Sequence, residues 1–151
     1  MTAVLSIGSN VGDRMTFLRL AVEVLEPFAV SPVYETEPVG GIAQRDFLNA
    51  VLLCDLDTTR AWALAQQAER QAERERVVPW GPRTLDVDVV LAPPPTPPGI
   101  VVPHPRAAWR AFVLVPWLDV DPDAELPSGR VDALLAGLDR SGVRRIDEAL
   151  G

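Results

Sequence analysis

Residues 80–91 read WGPRTLDVDVVL. Trp80, Gly81 and Pro82 are turn formers, and from Leu85 onward apolar and acidic residues alternate, which predicts a loop entering a strand. Successive strand side chains point to opposite faces, so Asp86 and Asp88 share one face while Leu85, Val87 and Val89 share the other. At that spacing the Cα atoms of the two Asp lie about 6–7 Å apart. With an effective dielectric near 20, two full charges so placed repel by about 2 kcal/mol. A bound cation removes that penalty, and hard oxygen donors on a rigid strand suit Mg²⁺, which keeps waters and leans on substrate phosphates. Arg83, three residues before Asp86, offers a planar, permanently charged fork to an arriving anion. Two solvated Asp on an exposed strand face fit the same D-x-D pattern, so the neighbouring segments have to decide between the readings.

Upstream, Asp57, Thr58 and Thr59 cap a helix expected from about Arg60 to Arg74, with Trp62, Ala65 and Glu69 near one stripe. Its end, ERQAERER, is dense in charge and leads towards Trp80 through Arg74 and Arg76. Before that helix, Phe47 to Leu53 is a strong strand candidate. It sets Phe47, Asn49 and Val51 on one face and Leu48, Ala50 and Leu52 on the other. An aromatic ring beside an amide suits a flat heterocycle, the ring by stacking and the amide by paired donor and acceptor. A core Phe and an Asn tying down a loop fit as well.

At the N-terminus, residues 3–8 form a first strand ending at the turn Gly8-Ser9-Asn10. Asp13 then caps a helix whose apolar positions run Phe17, Leu18, Ala21, Val22 and Leu25, and Pro27 stops it. Val30 to Thr36 is a short strand in which Pro32 favours an edge or an entry. Glu37 to Arg45, with Pro38, Gly40 and Gly41, reads as a loop. Beyond Leu91, residues 93–99 (PPPTPPG) make a stiff connector. Pro103, His104 and Pro105 open a short turn or helix, Phe112 to Leu118 is expected as a last apolar strand, and Val131 to Leu138 as a small amphipathic helix. Strand, helix, strand, strand, helix, strand in this order predicts an α+β domain with a ferredoxin-like βαββαβ core, its mainly antiparallel sheet covered by helices.

The chain has 151 residues, 48% of them hydrophobic, and a mean hydropathy of +0.12. Residues 1–151 are expected to make one domain, large enough for a core without disulfides. A single cysteine, Cys54, excludes an intrachain disulfide. A net charge of −7 argues against a nucleic-acid surface. No apolar run is long enough for a bilayer, and no signal peptide is recognisable, so a soluble cytoplasmic protein without membrane or nucleic-acid partners is expected. All fourteen basic residues are Arg, so every fixed cation facing a phosphate must be an Arg. His104 is the only histidine, and a His-rich metal site or relay is excluded.

Four motifs together resemble the 6-hydroxymethyl-7,8-dihydropterin pyrophosphokinases, enzymes of folate biosynthesis. They are Ile7-Gly8-Ser9-Asn10, Phe47-Leu48-Asn49-Ala50, Trp80 to Asp88, and Pro103-His104 followed by Arg110-x-Phe112-Val113-Leu114. The resemblance runs along nearly the whole chain. It implies transfer of a diphosphate from ATP to the pterin hydroxymethyl group with release of AMP; a monomer is expected. By the same similarity, Asp86 and Asp88 bind two Mg²⁺ ions. Phe47 and Phe112 sandwich the pterin, and Asn49 holds its edge, with Asp86 and backbone groups near Thr36 and Val39 adjoining. Gln66 and Glu69 face the nucleotide. Arg74, Arg76, Arg83, His104 and Arg110 fall where the family contacts phosphate, and the implied catalytic set is Arg74, Arg76, Arg83, Asp86 and Asp88. The chain departs from the family's usual pattern at Glu37, Glu73 and Pro79.

Overall fold

The computed structural model describes residues 2–37, 45–74 and 84–151. Strand β1 (Ala3–Ser9) is buried along its whole length. Helix α1 (Arg14–Leu25) starts where the Asp13 carboxylate accepts from the Thr16 N–H at 3.2 Å. It stops at Glu26, whose φ of 48° turns the chain left-handed just before Pro27. The expected strand around Val30 is two pieces, β2 (Ala29–Val30) and β3 (Tyr34–Thr36), both antiparallel to β4 (Phe47–Cys54). Between them the Ser31 hydroxyl accepts the Val51 N–H at 2.8 Å, so a side chain keeps that donor paired beside Pro32.

Helix α2 (Thr58–Glu73) opens on Asp57, which accepts from the Arg60 N–H at 2.8 Å. Its buried stripe is Ala61, Ala65, Ala68 and Ala72, small residues that let the helix lie close against its neighbours. Trp62, expected on that stripe, is 40% exposed. After β5 (Asp86–Leu91) come a 3-10 turn (Ala107–Trp109) and α3 (Ala111–Val120). The ribbon β6 (Glu125–Leu126) and β7 (Gly129–Arg130), α4 (Val131–Ala136) and β8 (Val143–Arg145) complete the chain.

The main sheet has the order β5-β1-β4-β3-β8, with every pair antiparallel. Its first four strands, with α1 and α2, are the expected βαββαβ arrangement. β8, unforeseen, adds to the outer side of β3.

The sheet's two faces are covered differently. Leu5, Ile7, Leu48, Ala50, Leu52, Val87 and Val89 meet α1 and α2 in one core. On the other face Val4, Val51, Leu53 and Val90 pack with Val113, Leu114 and Trp117 of α3. That second layer corrects the expectation for Phe112 to Leu118, which is helix and not strand. The run is apolar at nearly every position, so neither a two-residue nor a 3.6-residue period stands out. Among the described residues no helix is long and apolar enough to cross a membrane.

Candidate active site

Helix α3 covers only part of its face, and beside it lies a cleft of about 450 Å³. Strand register explains what lines it. Gly8 of β1 stands opposite Asp86 on one side and Asn49 on the other, and Ser6 stands opposite Asp88. Asp86, Asp88, Ser6, Gly8, Phe47, Asn49 and Thr36 therefore all border the cleft. Its remaining wall comes from Glu37, His104, Arg110 and Phe112.

Small residues form the floor. A Cβ on Gly8 would sit 2.6 Å from Asn49 Oδ1, so only glycine fits. Asn49 is 4% exposed, and its Nδ2 donates to Thr36 Oγ1 at 2.7 Å, which fixes the amide's orientation. Phe47 and Phe112, both half-buried, reach the cleft from different elements: the start of β4 and the first turn of α3. Arg110, at the N-cap of α3, has its guanidinium carbon 5.5 Å from the Phe112 ring centroid and an Nη1 3.7 Å from Asp88 Oδ2. A 3.7 Å pair between partly exposed groups is weak, so Arg110 can turn to another anion at small cost.

The His104 N–H donates to Val90 O at 2.8 Å, which seats the residue beside β5. Its Nδ1 accepts the Arg106 N–H at 3.2 Å, which leaves the proton of the neutral ring on Nε2. Burial lowers its pKa, and Arg110 and Arg106 act in the same direction against Asp88. At neutral pH the ring is a neutral N–H donor.

Glu69 reaches β5 itself, where its Oε2 accepts the Val87 N–H at 2.9 Å, between the two Asp. Gln66 is exposed on α2 and Arg74 caps that helix. Neither they nor Glu69 is among the described residues lining the cleft. Val39, Arg76 and Arg83 lie outside the described residues. Ser6, Gly8 and Glu37 line the cleft without having been singled out as site residues. For Ser6 and Gly8 a clue existed, since small residues alternate there with Leu5 and Ile7; for Glu37, in a loop, there was none.

Among the described residues no cluster of three or more acidic, His or Cys side chains could hold a metal. Two carboxylates with a serine hydroxyl nearby do fit a hard cation that completes its shell from water and phosphate. An antiparallel α+β sheet whose cleft is bordered by this carboxylate pair, an arginine and two aromatic rings has the equipment of an enzyme that transfers phosphate to a flat acceptor.

Comparison with known proteins makes the class specific. Residues 4–122 match the model of the family described as 7,8-dihydro-6-hydroxymethylpterin-pyrophosphokinase. A Mycobacterium leprae 2-amino-4-hydroxy-6-hydroxymethyldihydropteridine pyrophosphokinase is 48% identical over 165 residues, covering 93% of this chain and 86% of that protein. Proteins of the same name from Bacillus subtilis and Pseudomonas aeruginosa are 39% and 35% identical, covering 94% and 95% of this chain and 88% and 96% of theirs. The chain belongs to the 7,8-dihydro-6-hydroxymethylpterin-pyrophosphokinase family. Its activity is transfer of diphosphate from ATP to the hydroxymethyldihydropterin of folate biosynthesis.

Proposed function

We propose that the cleft holds both substrates, with the pterin at the Phe47–Phe112 end and the ATP phosphates at the Asp86–Asp88 end. The pterin stacks between the two rings, and its edge meets Asn49, with Thr36 and Val39 adjoining. The single observation that carries this reading is the register around Gly8, which sets Asn49 and Asp86 on either side of one side-chain-free position.

In the reaction the hydroxymethyl oxygen bonds to the β-phosphorus as the bond from that phosphorus to the α,β-bridging oxygen breaks. AMP leaves with that oxygen, and the hydroxyl proton is released. Asp86 and Asp88 would hold two Mg²⁺ ions, whose chemistry is to neutralise charge on the polyphosphate. ATP carries about four negative charges and two Mg²⁺ with two Asp supply a net of about +2, so arginines are still required. Arg110 serves that need from the cleft wall, and Arg74, Arg76 and Arg83 from the α2–β5 connection and its approach. His104 donates Nε2–H to a phosphate oxygen. Gln66 and Glu69 belong to the nucleotide side, Glu69 by fixing β5. The protein acts as a single-domain monomer in the cytoplasm, and its net charge of −7 suits a partner list of small molecules alone.

Asp88→Asn tests the reading. It keeps the shape and removes one charge, so AMP release should fall roughly 100-fold or more while the melting temperature holds or rises. Turnover near that of the wild type would exclude the metal role.

A further inference from the structure

Arg144 lies on β8, beyond residue 122 where the family match ends. It faces three carboxylates. Its Nη2 donates to Glu35 Oε1 at 3.2 Å and to Asp46 Oδ2 at 3.0 Å, and its Nη1 is 4.0 Å from Glu37 Oε1. Glu35 and Glu37 flank Thr36 at the end of β3, and Asp46 directly precedes Phe47 at the start of β4. Thr36 and Phe47 are register partners. Arg14 grips the same corner, with Nη1 donating at 2.9 Å to Glu35 Oε2 and at 2.9 Å to Asp46 O.

We propose that Arg144 is a positioning residue for the pterin half of the site, joining the strand ends that present Thr36, Asn49 and Phe47 to the cleft. The inference rests on the pterin lying at that end. Arg144 faces all three carboxylates, whereas Arg14 reaches only that of Glu35 and the Asp46 carbonyl. Without Arg144 the Asp46 and Glu37 carboxylates lose this counter-charge beside Glu35, and the repulsion among the three pushes the end of β3 away from the start of β4. The side chains of Arg144, Glu35 and Asp46 are 48%, 28% and 33% exposed, so each pair is screened and adds little to global stability. Alignment is more sensitive than stability, because an offset of a fraction of an ångström between stacking ring and hydrogen-bonding edge lowers affinity. A Lys at 144 keeps the charge but loses the planar fork that reaches two strands at once.

The test compares Arg144→Ala, Arg144→Lys and Phe112→Ala, with Arg145→Ala as a control that removes the same charge from the next position of β8, opposite Tyr34 of β3. KM for the hydroxymethyldihydropterin is measured at saturating Mg²⁺-ATP, KM for ATP at saturating pterin, and melting temperature alongside. For Arg144→Ala the expected result is a rise of about five- to tenfold in pterin KM, with ATP KM and kcat within about twofold. Arg144→Lys should recover part of the loss, and Arg145→Ala should match the wild type. Added salt should raise the pterin KM of the wild type more than that of Arg144→Ala. If Phe112→Ala weakens pterin while Arg144→Ala lowers only the melting temperature, or raises both KM values alike, the positioning role is overturned and the pterin assignment stands. If Phe112→Ala leaves pterin KM unchanged, the assignment of this end falls, and the role of Arg144 with it.

Discussion

Gly8 has no room for a side chain, because an added Cβ would meet Asn49 Oδ1 at 2.6 Å. The crowding atom belongs to a buried amide already committed to Thr36, so relief must come from breaking that hydrogen bond or moving β1 away from β4. Gly8→Ala is therefore expected to cost about 1–3 kcal/mol in stability, as overpacking does. Pterin KM should rise severalfold, because Asn49 loses its set orientation. Denaturant unfolding and steady-state kinetics check the two effects, and a variant as stable and as tight as the wild type would mean that the floor yields. At this scale the site is partly legible in sequence. Asp86 and Asp88 alternate with apolar residues along β5, and Phe47 and Asn49 share one face of β4. Ser6 and Gly8 escape notice because a small residue in a buried strand carries its meaning only through the strand beside it. Asp86 and Asn49 become neighbours of Gly8 through pairings that span about 80 and 40 residues.

Helix α3 decides the shape of the cleft, and one hydroxyl helps to hold it. Tyr34 Oη of β3 donates to Asp119 Oδ2 at 2.5 Å. Burial, then that hydrogen bond and the Asp119 charge, push the Tyr34 pKa up to about 12. Because the folded value lies above the usual 10, this contact stabilises the fold fully below about pH 10 and loses its contribution as pH rises through 12. Tyr34 is the only tyrosine, so phenolate absorbance should titrate near 12 when folded and near 10 in denaturant. Tyr34→Phe should cost about 1 kcal/mol at neutral pH and remove the high-pH loss. A folded-state midpoint at 10 would remove the contact from the account. The elements α1, β4, α2 and β5 were legible because caps at Asp13 and Asp57 and clean alternation mark them locally. α3 was not, since a helix whose nearly every residue is apolar shows no period. β8 was not either: Val143–Arg145 is three residues long and becomes a strand only because β3 offers it an edge.

Across the whole molecule the question is what offsets a polyphosphate arriving at a chain of net charge −7. At physiological ionic strength charges more than about 8 Å apart are largely screened, so the distant acidic surface matters less than Asp86 and Asp88 themselves. On the proposed placement, ATP without a divalent cation would meet those two carboxylates directly, and Arg110, already 3.7 Å from Asp88, would have to neutralise both them and the phosphates. Ligand binding stabilises the folded chain by about 2.7 kcal/mol at a hundred times Kd. For a domain of this size that raises Tm by roughly 5–10 °C. Saturating ATP with Mg²⁺ is expected to give a shift of that order, and ATP with EDTA a much smaller one. Asp88→Asn should narrow the gap from both ends, since it weakens the metal-dependent complex and relieves repulsion in the metal-free one. Equal shifts with Mg²⁺ and with EDTA would show that the acidic pair is not where a cation and the phosphates meet, and the carboxylates on β5 would need another role.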